Sequence, residues 1–310
     1  MMGSTGRALA LSALAMVACN EAAEETRPAG QDVAPAAADL AVQGPEDRVA
    51  VLEGFSGPES VRYDPGQDVW FVGNFNGEGG ERDANGFVSR ISAETGVIED
   101  LRFAEGTADH PLHAPRGMYI VADTLWVTDI DGVHAFDRHS GVQTGFVDLT
   151  SFEPGFLNDI AQADDGALYV TDTGRSAVYR IVGRASTEAL VGEELGNPNG
   201  ITWDPAQGRL VIVPWEPGHR IHVWRPEDSP EGFGPSQTPG RLDGVEPFER
   251  RLLIASQSDS TVHFLDAGGS RVAIRTAGRP ADIGVDTRRR RVAVPYIALD
   301  RVDIWELPSN

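Results

Sequence analysis

The chain has 310 residues, of which 41% are hydrophobic, and a formal net charge of −21 at pH 7. Such an acidic surface repels nucleic-acid phosphates, which argues against nucleic-acid binding, since that function depends on basic contacts. All 26 basic side chains are arginines, because the sequence contains no lysine. Lysine Schiff-base catalysis and a P-loop nucleotide site are therefore also excluded.

Residues 1–19 have the features of an export signal. Arg7 precedes the apolar run Ala8–Ala18, which is too short to span a bilayer. The only cysteine, Cys19, ends the string A-M-V-A-C, which resembles a bacterial lipoprotein lipobox, although Met16 stands where Leu or Val is usual. We predict an exported lipoprotein that faces the periplasm or the cell exterior and contacts a membrane only through lipid on Cys19. An ordinary secretory signal is the alternative.

Residues 20–47 are rich in Ala, Pro, Glu and Gln and show no apolar periodicity. A segment of this composition cannot bury enough apolar surface to offset the entropy lost on ordering. We predict a disordered tether over 20–47 and a folded domain over 48–310.

A four-residue phrase recurs six times in the folded domain, at intervals of 57, 42, 41, 44 and 38 residues. This period is typical of a β-propeller blade. The copies are P-E-S-V from Pro58, P-R-G-M from Pro115, L-N-D-I from Leu157, P-N-G-I from Pro198, L-D-G-V from Leu242 and P-A-D-I from Pro280. The repeat predicts six blades.

Each phrase is followed by short strand-like segments separated by turn signals, which indicates an all-β fold. The first five repeats have room for four strands, whereas the sixth has three before the chain ends. The strand-like segment Arg48–Phe55 precedes the first phrase, and we predict that it completes the last blade and closes the ring. Pro226–Gly240, rich in Pro, Gly, Ser and acidic residues, is interpreted as a loop. The prediction is a six-bladed β-propeller with four-stranded blades.

The second residue of each phrase forms a set that a propeller would bring to one mouth of its central channel. In chain order these residues are Glu59, Arg116, Asn158, Asn199, Asp243 and Ala281. Two carboxylates and two amide carbonyls are hard oxygen ligands, which predicts a divalent cation, with calcium preferred. The absence of Cys and His from the set disfavours zinc. The alternative is that Asn and Asp beside glycine only form turns.

These segments resemble the senescence-marker-protein, gluconolactonase and luciferin-regenerating-enzyme family. The resemblance covers residues 50–307 and is carried by the order and spacing of P-E-S-V-R-Y-D-P, L-N-D-I-A-Q-A-D-D-G-A-L-Y-V-T-D, P-N-G-I-T-W-D-P and L-D-G-V. It implies a six-bladed propeller with one divalent metal held by Glu59, Asn158, Asn199 and Asp243. It also implies that Asp243 is the catalytic acid/base group in lactone hydrolysis. Paraoxonases and diisopropylfluorophosphatase share this plan, so the substrate stays open.

Three side chains near the predicted mouth have open roles. Arg116 binds a substrate carboxylate or oxyanion, or it pairs structurally with Glu59 or Asp243. His110 and His113 precede it on a loop, and we interpret them as surface histidines, with a general-base role as the alternative.

The resulting functional hypothesis is a metal-dependent hydrolase acting on a small-molecule lactone or ester, with the cation polarising the carbonyl. Two alternatives remain. One is a non-catalytic propeller that binds a ligand or protein and contains a structural calcium. The other is a lyase on the same scaffold, similar to virginiamycin-B-lyase-like proteins. The sequence predicts neither the substrate nor the oligomeric state.

Overall fold

The computed structural model describes residues 41–235, 238–266 and 268–307. The predicted export signal with Cys19, and the predicted tether up to residue 40, lie outside these residues. In the described part of the chain, no helix is long and apolar enough to cross a membrane.

The described residues form six four-stranded antiparallel sheets, arranged as the blades of a propeller. A separate first strand, β1, spans Ala50–Glu53. Blade one contains β2 (Pro58–Asp64), β3 (Val69–Asn74), β4 (Phe87–Ser92) and β5 (Ile98–Ala104). Blade two contains β6 (Met118–Val121), β7 (Thr124–Thr128), β8 (Gly132–Asp137) and β9 (Gln143–Asp148). Blade three contains β10 (Leu157–Gln162), β11 (Leu168–Asp172), β12 (Ala177–Val182) and β13 (Ala185–Val191).

The second half of the chain repeats this pattern, and the predicted six-bladed all-β fold is confirmed. Blade four contains β14 (Pro198–Asp204), β15 (Arg209–Pro214), β16 (Ile221–Trp224) and β17 (Glu231–Phe233). Blade five contains β18 (Leu242–Phe248), β19 (Arg251–Ser256), β20 (Thr261–Asp266) and β21 (Gly269–Arg275). Blade six contains β22 (Gly284–Asp286), β23 (Arg291–Tyr296) and β24 (Arg301–Glu306), together with β1. Short 3₁₀ helices occupy Pro45–Asp47, Thr150–Phe152, Glu193–Leu195 and Ile297–Leu299.

The hydrophobic core lies between neighbouring blades. Inner strands are covered on both faces, so every residue of β3 is buried, whereas most of the outer strand β5 is exposed. Tyr169 of blade three, for example, meets the edge of the Trp224 ring of blade four, with ring centroids 5.3 Å apart. Blade-to-blade packing of this kind holds the inner strands together around the channel.

The N-terminal strand closes the ring, as predicted from the strand count. β1 is the outermost strand of the last blade and pairs with β24, with Ala50 opposite Ile304. Leu52 packs into the core between blades six and one, and Arg48 forms a 2.9 Å ion pair with Asp303.

Two segments differ from what the sequence suggests. Glu231–Phe233, inside the segment interpreted as a loop, pairs with β16 as the fourth strand of blade four. Gln43, inside the predicted tether, forms a parallel bridge with Ile274 at the edge of blade five. Its amide donates to the Ala273 carbonyl at 2.9 Å, and its carbonyl accepts from the Arg275 amide at 2.8 Å. The chain is therefore attached to the propeller from Gln43 onward.

Candidate functional site

The six ring positions lie at the same end of the innermost strands, which contact one another around the channel. Glu59, Asn158, Asn199 and Asp243 are each the second residue of their strand, β2, β10, β14 and β18 respectively. The other two ring positions, Arg116 and Ala281, come just before β6 and β22. All six residues are buried.

Each of the four strands that contain a predicted ligand has an irregular register at that ligand. The pairing shifts between Pro58 and Ser60 in β2, and the corresponding shifts in β10, β14 and β18 fall at Leu157/Ile160, Pro198/Ile201 and Leu242/Val245. A bulge re-aims the side chains of its residues away from the regular alternation of a strand. The four predicted ligands therefore occupy equivalent, irregular backbone positions.

The glycines beside two of these ligands allow adjacent inner strands to approach closely. A Cβ atom on Gly200 would lie 2.2 Å from the Asp243 carbonyl oxygen, and one on Gly244 would lie 2.3 Å from the Ile283 amide nitrogen. In both cases the obstructing atom belongs to the next blade. Asn199 and Asp243 lie in strands rather than turns. The turn-forming interpretation is therefore wrong for these two residues.

Each predicted ligand has one buried side-chain oxygen without a hydrogen-bond partner among the described residues. These atoms are Glu59 Oε2, Asn158 Oδ1, Asn199 Oδ1 and Asp243 Oδ1. Buried polar atoms in folded proteins are nearly always hydrogen-bonded, so four unpaired oxygens at equivalent positions need an explanation. Calcium binds carboxylate and amide oxygens of this kind. The donor set therefore fits a divalent cation.

The two ring carboxylates interact electrostatically. Burial raises the pKa of Glu59 well above its ordinary value, the Asp243 carboxylate raises it further, and Arg116 opposes the change. Burial raises the pKa of Asp243 to about 7. A 2.6 Å hydrogen bond from Gln257 Nε2 to Asp243 Oδ2 lowers this pKa and so opposes part of the rise. Two neighbouring buried carboxylates resist ionising together, and a bound cation offsets that cost.

Arg116 is buried at the mouth with only part of its guanidinium satisfied. Nη2 donates to the Gly79 carbonyl, and the guanidinium carbon lies 3.8 Å from the centroid of the Phe156 ring and 5.5 Å from that of Phe75. Its Nε and Nη1 have no hydrogen-bond partner among the described residues. No carboxylate of those residues forms a direct ion pair with it, although Glu59 acts on it at longer range. Direct structural pairing with Glu59 or Asp243 is therefore not observed.

Hydroxyl groups tie the ring positions of adjacent blades together. Thr171 Oγ1, at the end of the second strand of blade three, donates to the Asn199 carbonyl of blade four at 2.5 Å. Thr128 of blade two donates in the same way to the Asn158 carbonyl of blade three. These contacts fix the backbone of two predicted ligands, and sequence reasoning missed them.

The aspartates that follow these threonines hold the loops leading into the ring positions. Asp129 accepts hydrogen bonds from the His113 and Ala114 amides, both at 2.7 Å. Asp172 accepts from the Phe156 amide at 2.8 Å and so fixes the residue whose ring contacts Arg116. The recurring V-T-D at 127–129 and 170–172 is the sequence signal that marks this role.

A second group of potential metal ligands lies in blade two. One ligand atom each from Asp129, Asp131 and His134 lies within 4.8 Å of the others. His134 is fully buried, and its Nε2 lies 3.3 Å from Asp129 Oδ2. This cluster is a second candidate for a divalent cation, and it has donors suited to softer metals than calcium.

The partners of this cluster compete with metal binding. The Thr107 amide donates to Gln143 Oε1 at 2.9 Å, which leaves Gln143 Nε2 to donate to His134 Nδ1 at 2.7 Å. The imidazole proton is then on Nε2, where it faces Asp129 and occupies the nitrogen that a metal would need. Asp131 is paired with Arg82 at 2.6 Å. The four-residue ring therefore fits a cation better than this cluster does.

Further charged groups are buried below the ring. Arg62 and Glu246, three residues after Glu59 and Asp243, form an ion pair. Asp282 Oδ2 is buried without a hydrogen-bond partner among the described residues, and burial and the Asp159 carboxylate raise the pKa of Asp282 well above its ordinary value. The sequence analysis did not predict these groups. Asp159 and Asp282 are the third residues of the phrases L-N-D-I and P-A-D-I, where the prediction used only the second residue, and Arg62 and Glu246 lie outside the phrase.

The two histidines near the mouth differ. His113 is buried, and its Nδ1 accepts a hydrogen bond from the Ala84 amide at 3.0 Å, so the prediction of a surface histidine is wrong here. His110 is exposed and stacks on Phe146, with ring centroids 4.7 Å apart.

No protein-family model matches the sequence, and a search of curated proteins finds no match either. Solved structures are similar in fold. The calcium-binding protein regucalcin from Agrobacterium tumefaciens has a TM-score of 0.63 at 17% identity, covering 86% of this chain and 95% of that chain. A gluconolactonase from Xanthomonas campestris has a TM-score of 0.60 at 17% identity, covering 84% and 92%.

Virginiamycin B lyase from Staphylococcus aureus is similar as well. A catalytically inactive histidine-to-alanine variant of it, solved with quinupristin, has a TM-score of 0.57 at 15% identity, covering 84% of this chain and 99% of that chain. At such identities the likeness concerns the fold. The resemblance to gluconolactonase-like and regucalcin-like six-bladed propellers is confirmed at that level.

Proposed function

We propose that this protein is a metal-dependent hydrolase that opens a lactone or a related ester. The observation that carries the proposal is the set of four buried, unpaired oxygens on Glu59, Asn158, Asn199 and Asp243. The substrate is a small molecule that enters the mouth of the channel. Similarity in fold to a gluconolactonase is consistent with this class of reaction.

The four ring residues would hold one divalent cation, and their hard oxygen donors favour calcium. When bound there, the cation supplies Lewis-acid polarisation of the substrate carbonyl. The protein contributes two negative charges, a rigid backbone fixed by the threonine contacts, and a site closed to most water by burial.

Asp243 would act as the acid/base group. Its unpaired Oδ1 would hold the cation, and its Oδ2, which Gln257 orients with a hydrogen bond, would accept a proton from water as the water oxygen bonds to the carbonyl carbon. The same proton then passes to the leaving ring oxygen as the carbon–oxygen bond breaks. In total, one ester bond and one water give one carboxylic acid group and one alcohol group. Arg116 would bind the substrate at the mouth.

The direct test is hydrolysis of a panel of lactones and aryl esters, with and without chelator. Asp243→Asn should lower kcat/KM by roughly 10²- to 10⁴-fold, because it removes a proton-transfer group. Asp109→Asn, on an exposed aspartate outside the ring, is the matched control and should retain activity. Full activity in Asp243→Asn, or after metal removal, would contradict the proposal.

A thermal-shift measurement tests the cation independently of the substrate. Calcium should raise the melting temperature of the native protein, and Glu59→Gln and Asp243→Asn should both reduce that shift. Calcium stabilisation with no hydrolysis across the panel would favour the non-catalytic binding propeller.

Lyase chemistry is the second candidate, because virginiamycin B lyase has the same fold. The mass of the product separates the two reactions, since hydrolysis adds one water and elimination adds none. The lyase variant is inactive without a histidine, and none of the six ring positions of this chain is a histidine.

Export and lipidation remain proposals that rest on the sequence. Mass spectrometry of the purified native protein should find a diacylglyceryl group on Cys19, and Cys19→Ser should release the protein from the membrane fraction. Soluble, unmodified native protein would instead favour an ordinary secretory signal.

A further inference from the structure

Arg116 is a buried cation with no matching anion in direct contact. Its side chain is 1% exposed, and Nε and Nη1 are unpaired among the described residues. A buried charge without a partner is costly, so such groups in folded proteins are paired or bind a ligand. The unpaired nitrogens therefore indicate that a negatively charged group binds here.

The charges of the ring indicate how much negative charge the ligand brings. A divalent cation balances the carboxylates of Glu59 and Asp243, and the two asparagines are neutral. Arg116 then adds one positive charge that no carboxylate contacts directly, and Glu59, Asp129 and Asp172 act on it only at longer range. A carboxylate in contact with Arg116 matches that single charge, whereas a phosphate monoester, with close to two negative charges, brings more than one cation can pair.

The walls of this position are apolar. The guanidinium carbon lies 3.8 Å from the centroid of the Phe156 ring and 5.5 Å from that of Phe75. The Gly79 carbonyl accepts a hydrogen bond from Nη2. Aromatic rings orient a guanidinium without neutralising it and exclude water from its surroundings. The rest of a ligand that reaches Arg116 must therefore be partly apolar, as the carbon skeleton of a lactone is.

We propose that the natural substrate is a lactone or ester that carries a carboxylate, and that this carboxylate binds the unpaired nitrogens of Arg116. The inference rests on the proposed function and names its substrate class. A substrate carboxylate explains Arg116 better than a reaction oxyanion does, because an oxyanion exists only briefly and cannot balance a charge that is buried in the resting complex.

The test compares a carboxylate with its neutral amide at two levels, in the presence of calcium. Binding is measured by calorimetry with tetrahydrofuran-2-carboxylate and tetrahydrofuran-2-carboxamide, neither of which contains a hydrolysable lactone. Turnover is measured with 5-oxotetrahydrofuran-2-carboxylate and the matching carboxamide. The native protein should prefer the carboxylate by roughly 10- to 150-fold in both measurements, as expected for hydrogen bonds to a charged group.

Arg116→Gln should abolish this preference, because the carboxylate then loses its charged partner and binds no more tightly than the amide. Arg102→Gln is the matched control, since Arg102 also stacks on a phenylalanine, Phe87, but is exposed and lies outside the ring. If Arg116→Gln does not fold, Arg116→Lys keeps the charge and should retain part of the preference. Phe156→Leu should weaken the preference for the carboxylate, because it removes the aromatic ring that orients the Arg116 guanidinium.

The outcomes separate the two proposals. Turnover of both lactones with no preference, or a preference that survives Arg116→Gln, overturns the carboxylate inference and leaves the hydrolase standing. Selective carboxylate binding through Arg116 without any turnover supports a carboxylate site on Arg116 and overturns the hydrolase.

Discussion

At the scale of single residues, the mouth of the channel combines side chains that bear function with glycines that make room for them. Asp243 reaches its position only because Gly200, in the neighbouring blade, has no Cβ to collide with the Asp243 backbone. Gly244 makes room in the same way for the Ile283 amide nitrogen. Glycine after the ring residues Asn199 and Asp243 is thus a packing requirement.

Substitution of Gly200 by alanine tests this packing. The new Cβ would lie 2.2 Å from the Asp243 carbonyl oxygen, so we expect a loss of about 1–3 kcal/mol in unfolding free energy and weaker calcium binding. Chemical unfolding and calcium titration measure the two effects. Gly145→Ala, where the added Cβ meets only Ala135 at 3.6 Å, is the control and should change little. Equal behaviour of both variants would show that the close approach is unimportant.

The identities of the ring residues were readable from the register of the repeated phrase, but their surroundings were not. The bulges in β2, β10, β14 and β18 lie in the pairing of each strand with the next strand of its own blade. The aromatic contacts of Arg116 and the Arg62–Glu246 pair arise between blades that are distant in sequence. No local propensity encodes such contacts. Sequence periodicity therefore predicts which residues meet, while their hydrogen bonding and burial follow from the packing.

At the scale of secondary-structure elements, β1 behaves as part of the last blade rather than of the first. Counting strands predicts this pairing, because a four-stranded repeat with three strands at its end needs one from elsewhere. The sequence analysis did not predict β17, because it is a strand of only three residues within a Pro- and Gly-rich segment. Its hydrogen bonds to β16 stabilise it as a strand despite that composition.

Leu52 is the residue of β1 on which this docking depends most. Leu52→Ser should lower the unfolding free energy by about 2–4 kcal/mol, because it removes a buried side chain from the core between blades six and one. Val51→Ser, at the adjacent and exposed position, is the matched control and should be nearly neutral. Urea unfolding distinguishes them. Similar losses in both variants would mean that strand pairing, rather than side-chain burial, holds β1.

At the scale of the whole molecule, several buried carboxyl groups of the innermost strands and their approaches act on one another electrostatically. Burial raises the pKa of the carboxyl groups of Glu59, Asp159, Asp243, Glu246 and Asp282. A carboxyl group with a raised pKa holds its proton in the folded state at pH values where the unfolded chain has lost it. Its contribution to stability is therefore complete at low pH and is lost as the pH rises through the folded-state value.

We accordingly expect the chelator-treated protein to become less stable between about pH 5 and about pH 8. Asp129, whose pKa is lowered despite burial by its hydrogen bonds, is ionised in both states over this range and adds no slope. His222, whose pKa burial lowers, contributes the opposite slope, but it is one group against five. Urea unfolding across this range measures the effect, and stability that is constant or rises with pH would contradict it.

Calcium should reverse the trend, because the cation binds the ionised forms and its stabilising effect grows with pH. Asp243→Asn should flatten the pH dependence of the chelator-treated protein, since one of the titrating groups is gone.

The closing contact between the two ends of the domain also has a consequence for how the molecule folds. Arg48 and Asp303 are 255 residues apart in sequence. Contacts of such long range form late, because the entropy of closing the intervening chain must be overcome first. Until β24 is in place, β1 has no partner, and the incomplete ring is an intermediate with apolar surface open to association. We therefore expect ring closure to be the slow step of folding, with a refolding yield that falls as the protein concentration rises, because incomplete rings then associate before they close.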